Sequence, residues 1–130
     1  MDMNRRIIEN HLGSLEALVM RILWDRGEMS VRDVLAAMPR RTPRAYTTIM
    51  TVMNRLWEKD LLDRRPVGRA HLYKPRVSED DFVEQLARQT ARSLIAEFGS
   101  AAVAHFVGEL QDADPDEFAK LRELLSREGT

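Results

Sequence analysis

Cysteine is absent from the 130 residues. That absence excludes a disulfide framework, a thiol nucleophile and any metal site held by cysteine. No apolar run approaches the roughly 18 residues that a membrane span needs, so no membrane insertion is expected. The opening residues, Met-Asp-Met-Asn-Arg-Arg-Ile-Ile-Glu-Asn, lack the apolar stretch of a secretory signal. A cytoplasmic protein is therefore the expectation. The three histidines, His11, His71 and His105, lie far apart, with no second ligand-type residue at metal spacing. There is no glycine-rich phosphate loop, no G-x-S-x-G elbow and no H-E-x-x-H pair. No catalytic residue, metal ligand or cofactor can be nominated, and no enzyme is expected.

What is present is charge, unevenly placed. The formal net charge is only −1, with 44% apolar and 32% charged residues, a composition that suits a helix-rich globular protein. Residues 1–77 hold 15 Lys or Arg against 9 Asp or Glu, whereas residues 78–130 hold 5 against 12. Residues 40–76 alone hold 10 basic and 3 acidic side chains. A basic half beside an acidic half predicts that only the first meets a polyanion. The change of sign puts a domain boundary near residues 76–78, giving an N-terminal domain 1–77 and a C-terminal domain 78–130.

The stretch from Thr42 to Asp60 organises the basic half. Thr42 suits a helix cap and Pro43 a first helical position. Ile49, Val52, Met53 and Leu56 follow the spacing of a buried stripe. The opposite face carries Arg44, Thr47, Thr51, Asn54 and Glu58, flanked by Thr48 and Arg55. Short hydroxyl and amide side chains beside arginines can reach base edges in a major groove. An ordinary solvated helix face is the competing reading.

The neighbouring segments favour the first. Residues 1–13 show no clear period and read as a loose arm. Ser14 opens a helix with a Leu15, Leu18, Val19, Ile22, Leu23 stripe, Trp24 beside it, stopped at Gly27. Glu28 and Met29 suit a short strand. Ser30 to Asp33 reads as a capping-box variant opening a helix that buries Val31, Val34, Leu35 and Met38 and ends before Pro39. After Asp60, residues 61–65 and 70–74 read as two strands joined by the turn Pro66-Val67-Gly68-Arg69, with Pro66 at a strand end. Three helices and a small hairpin make a winged helix-turn-helix. Its third helix would enter the groove, and its wing would offer Arg64, Arg65 and Arg69 to phosphates. The basic stripe argues against a winged-helix module that binds only protein.

The acidic half reads as three helices. The first starts at Ser78 and ends at Gly99, the second starts at Ser100, and the third follows the Asp114-Pro115 cap. Phe98, Val103, Phe106, Leu110, Leu121 and Leu124 lie on apolar stripes that so short a segment cannot bury alone. They are the candidate dimerisation residues, and a homodimer follows from the need of one winged domain for a second half-site.

Five stretches also resemble one family. They are residues 15–24 (Leu-Glu-Ala-Leu-Val-Met-Arg-Ile-Leu-Trp), residues 45–56 (Ala-Tyr-Thr-Thr-Ile-Met-Thr-Val-Met-Asn-Arg-Leu), Ala70-His71-Leu72-Tyr73, Ala104-His105-Phe106-Val107 and residues 121–125 (Leu-Arg-Glu-Leu-Leu). In this order, over roughly residues 12–127, they are similar to the penicillinase-repressor transcriptional regulators. The resemblance implies a homodimeric winged-helix repressor of inverted-repeat operators with TACA/TGTA-like cores. It also implies release from DNA when a membrane-linked sensor metalloprotease system cuts the dimerisation domain, and the residues matching that cut are His105 and Phe106. Copper-responsive members carry Cys-x-Cys pairs, so copper sensing by that route is excluded here.

Overall fold

The computed structural model describes residues 3–41 and 44–128. The chain falls into two units, Met1–Gln85 and Leu86–Thr130, and the division lies within a helix.

The first unit is a winged helix with an extra helix at its start. Helix α1 spans Met3–His11, α2 Ser14–Arg26, α3 Val31–Ala37 and α4 Tyr46–Glu58. The strands β1 (Leu62–Val67) and β2 (Ala70–Pro75) follow, and α5 begins at Glu79. Val19, Met20, Leu23, Val34, Ile49, Met53 and Leu56 are wholly or almost wholly enclosed, with Leu62 and Tyr73 from the hairpin beside them. Each such aliphatic side chain contributes about 1.5–3 kcal/mol by leaving water.

Residues 3–11 are helical, which corrects the loose arm expected for residues 1–13. Ile8 is buried and Leu12 packs on the core, while Arg5 and Glu9 pair at i, i+4. Arg21 reaches the same Glu9 at 3.5 Å, and Asn4 donates to Asp80 at 2.9 Å. The helix is held by these anchors rather than by a long apolar period. In α2 the buried stripe is Ala17, Val19, Met20 and Leu23, so the small Ala17 lies inside and Leu15, Leu18 and Ile22 lie at its margin. Gly27 ends α2 with φ 87 and ψ −147, a region that only glycine enters without strain.

The capping box is complete: Ser30 Oγ accepts the Asp33 N–H and Asp33 Oδ2 accepts the Ser30 N–H, both at 3.1 Å. Met29 forms a single antiparallel bridge with Tyr73, the short strand expected there. The hairpin runs in register from Leu62–Pro75 to Val67–Ala70, closed by a two-residue turn at Gly68 and Arg69. Gly68 has φ 61, the positive value such a turn requires at its first position. The turn is thus shorter than the four residues expected, and Pro66 lies inside β1 opposite His71. Among the described residues β1 has β2 as its one strand neighbour, so its other side is an open edge, where a missing donor costs no ladder bond.

Helix α4 ends in a Schellman motif, in which Leu61 N–H bonds to Leu56 O and Asp60 N–H to Trp57 O, each at 3.0 Å. Asp60 takes the left-handed position, with φ 64, usually given to glycine. The start of α5 is tied down by Trp24. Its Nε1 donates to Val77 O at 2.9 Å, and its ring lies 5.7 Å from that of Phe82.

The second unit holds the rest of α5 (to Phe98), α6 (Ser100–Ala113) and α7 (Pro115–Glu128). Gly99 breaks the chain at φ 62, and Asp114 Oδ1 accepts the Glu117 N–H at 3.1 Å. Among the described residues, none beyond Phe82 is buried.

Leu56 both closes the α4 stripe and accepts the Schellman bond. Leu56→Ala is expected to lower unfolding free energy by about 2–5 kcal/mol, read from the midpoint of urea unfolding.

Candidate nucleic-acid interface

Helix α4 meets two environments. Ile49, Met53 and Leu56 are fully enclosed and Val52 is 7% exposed. That fixes the rotation of the helix, and the opposite side shows Thr47, Thr51 and Glu58 with Asn54 half-buried beside them. Thr48 and Arg55 flank this face on the side of α2, where with Thr51 they line a hollow against residues 13–16. Tyr46, Met50 and Trp57 flank it on the other side and are all exposed. Thr51 Oγ1 donates to Thr47 O at 2.9 Å, so its lone pairs and methyl are what it offers outward.

The helix begins later than expected. Ala45, with φ −71 and ψ 149, is the cap, and its carbonyl accepts the first intrahelical bonds from Thr48 and Ile49. Thr42 and Pro43, expected to open the helix, lie outside the described residues. Arg44 therefore precedes α4 instead of lying on it. The physical reason is that residues 44–48 are exposed and the apolar stripe begins at Ile49, so an earlier turn would bury nothing.

The wing arginines are divided in their roles. Arg64 donates from Nη1 to Asn54 Oδ1 at 3.1 Å, and its guanidinium carbon stands 3.5 Å from the Trp57 ring centroid. The Tyr73 hydroxyl donates to the same Asn54 oxygen at 2.7 Å. These contacts tie the hairpin to α4. Arg65 forks onto Glu28, with Nε to Oε2 at 3.0 Å and Nη2 to Oε1 at 2.8 Å. The hydrogen bond from Arg65 holds the Glu28 carboxyl below the usual carboxylate range and raises the Arg65 pKa, so both are charged and paired at neutral pH. Sequence reasoning gave all three wing arginines to phosphates, but two have protein partners. Arg69 lies exposed at the turn.

Sequence reasoning passed over Tyr46, Met50 and Trp57. The i, i+4 spacing of Tyr46, Met50 and Asn54 marks them as one row beside the polar face.

Within the second unit, Phe98, Val103, Phe106 and Leu124 are more than half exposed, while Leu110 and Leu121 are partly covered. His105 and Phe106 lie in mid-α6, and with Leu94, Phe98 and Ala102 they line one apolar hollow. No helix of the described residues is long and apolar enough to cross a membrane.

The family model described as "Penicillinase repressor" matches residues 12–127. The chain belongs to the penicillinase repressor family. Transcriptional regulator BlaI of Mycobacterium tuberculosis (strain ATCC 25618 / H37Rv) is 40% identical over 118 residues, covering 88% of this chain and 83% of that one. Methicillin resistance regulatory protein MecI of Staphylococcus aureus (strain N315) is 25% identical over 116 residues, covering 89% and 94%. The solution structure of the DNA-binding domain of the repressor BlaI aligns at TM-score 0.49 and 26% identity, over 54% of this chain and 85% of that one.

In this member of the penicillinase repressor family, Glu28 neutralises a cation of the wing. Glu28→Gln is expected to strengthen binding to random-sequence duplex and to steepen the salt dependence by up to about one unit, as Arg65 gains access to phosphate. A titration across salt concentrations reads both.

Proposed function

We propose that the chain is a transcriptional repressor that grips an inverted-repeat operator as a homodimer. The observation that carries this reading is the exposed polar face of α4, held outward by its enclosed stripe and bordered by a hairpin fastened to it. Thr47, Thr48, Thr51, Asn54 and Arg55 face the operator, Arg44 approaches it from ahead of the helix, and Arg69 meets the backbone from the wing. Arg64 and Arg65 act through the positions of helix and wing more than as phosphate ligands. The protein-only alternative is disfavoured by membership of a family of repressors.

Homodimerisation is supported by the second unit, where Ile95, Phe98, Val103, Phe106 and Leu125 are each more than half exposed in the single chain. Faces of this kind need a cover, and a second copy supplies one of matching character. Two joined copies would meet half-sites about one helical turn apart. Release by a sensor metalloprotease that cuts between His105 and Phe106 completes the reading. Both residues lie within a helix, so α6 must open locally before that bond can be cut.

Thr51→Ala is expected to weaken operator binding by about 1–3 kcal/mol. Stability should hold or rise, because the lost hydroxyl bonded only within the helix and alanine favours it. Binding equal to the parent's would remove Thr51 from the interface. Truncation after Ala104 is expected to yield a monomer whose operator affinity falls by about 10²–10⁴, the loss on turning one bivalent event into two. Sedimentation paired with an operator titration tests this, and a truncated dimer of full affinity would refute the assembly and release reading.

A further inference from the structure

Two side chains of α4, one turn apart, offer an open hydrogen-bond donor and an apolar tip to the same groove. The donor is the Asn54 amide nitrogen. Its oxygen must face Arg64, because a guanidinium only donates, and it also accepts from the Tyr73 hydroxyl. The amide nitrogen has no protein partner among the described residues. The apolar tip is Met50, 37% exposed on a helix whose other aliphatic side chains are enclosed. With Arg32, Arg69 and His71 the two line a groove of about 330 Å³ between α3, α4 and the hairpin.

An asparagine with both amide ends open pairs with adenine, accepting from N6 while donating to N7. Here the accepting end is occupied, which excludes that pairing. A donor alone fits any base edge with an acceptor, whether guanine N7 or O6, adenine N7 or thymine O4. Only thymine sets a methyl group beside its acceptor. We infer that Asn54 and Met50 together read one thymine of the operator, the amide N–H on O4 and the thioether end on the C5 methyl. Arg64 and Tyr73 are positioning residues in this reading, since they hold the amide in its donor-outward orientation. The inference rests on the operator-binding reading above and adds to it the base and the atoms.

The test uses the full chain and the operator recovered by selection from a random duplex pool. Replacing each thymine by deoxyuridine removes one methyl, and replacing a T·A pair by 5-methylcytosine·guanine keeps the methyl but turns the acceptor into a donor. One thymine is expected at which deoxyuridine weakens the parent about fourfold, the worth of one buried methyl-sized group, and Met50→Ala not at all. Asn54→Asp keeps an oxygen for Arg64 and Tyr73 while exchanging the outward donor for an acceptor. It is expected to reverse the parent's order at that position, preferring 5-methylcytosine·guanine to T·A by about fivefold or more. A role limited to bracing the wing would leave the preference of Asn54→Asp unchanged, and that result would overturn the inference. So would an operator with no methyl-sensitive thymine, or a Met50→Ala variant that still senses the methyl; neither arm requires a change at Asn54. A pool that yields no preferred sequence would remove the repressor reading and this inference together.

Discussion

Four apolar side chains at i, i+3, i+4 and i+7, Ile49, Val52, Met53 and Leu56, set the terms for the rest of the first unit. Their enclosure by α2, α3 and the hairpin leaves α4 only one rotation about its axis. A helix so constrained has its outer face chosen by its inner one. Turning it by one residue, about 100°, would drive a threonine into the core and an isoleucine into water. The Schellman end adds an axial limit, because Leu61 must return to the core beside Leu56 as the chain leaves for β1. The polar face is therefore rigid before any ligand arrives.

The hairpin is fastened to that helix by a small polar and aromatic knot. Asn54 accepts two hydrogen bonds, Arg64 lies over Trp57, and Tyr73 pairs through its backbone with Met29. A two-stranded hairpin alone is marginal in water, so such ties decide whether a wing has a defined place at all. The knot uses charge that a phosphate-binding surface would otherwise present. Arg64 and Arg65 both give up freedom, and Glu28 cancels the second of them locally. Fixed geometry is gained at the expense of long-range attraction.

Much of this was legible in the residue order wherever the signal is local. The box at Ser30 and Asp33, the stops at Gly27 and Gly99, and the Asp114-Pro115 start each depend on bonds within a few residues. The stripe of α4 is equally local, being a period within one helix. What could not be read depends on distant partners. Helix α1 lacks a long period and is held by Arg21 and Asp80, 12 and 76 residues from the groups they meet. The pairing of Arg65 with Glu28 spans 37 residues, and that of Tyr73 with Asn54 spans 19. A sequence shows three arginines in a wing as three free cations; only the fold shows which are occupied. The α4 start was misread because Thr42 and Pro43 carry good cap chemistry, while the first side chain that the core encloses comes at Ile49.

The internal pairing of wing cations bears on how a repressor of this build must work. Affinity for duplex rises with the number of phosphates a protein neutralises, and each cation held by the protein itself lowers that number. With Arg65 paired to Glu28 and Arg64 engaged by Asn54, the wing offers fewer free cations to phosphate than its sequence suggests, which lowers what a single half-site contact can contribute. The weaker each half is, the more the link between them decides, because bivalent binding multiplies the affinity of each half by an effective concentration. The exposed apolar faces of α5, α6 and α7 are where the proposed link lies, in the part of the chain with the acidic balance. A regulator arranged this way can be switched without touching its DNA-facing residues. Under the proposed assembly, severing the link would leave α4 and the wing as they are and would remove only the gain from bivalent binding.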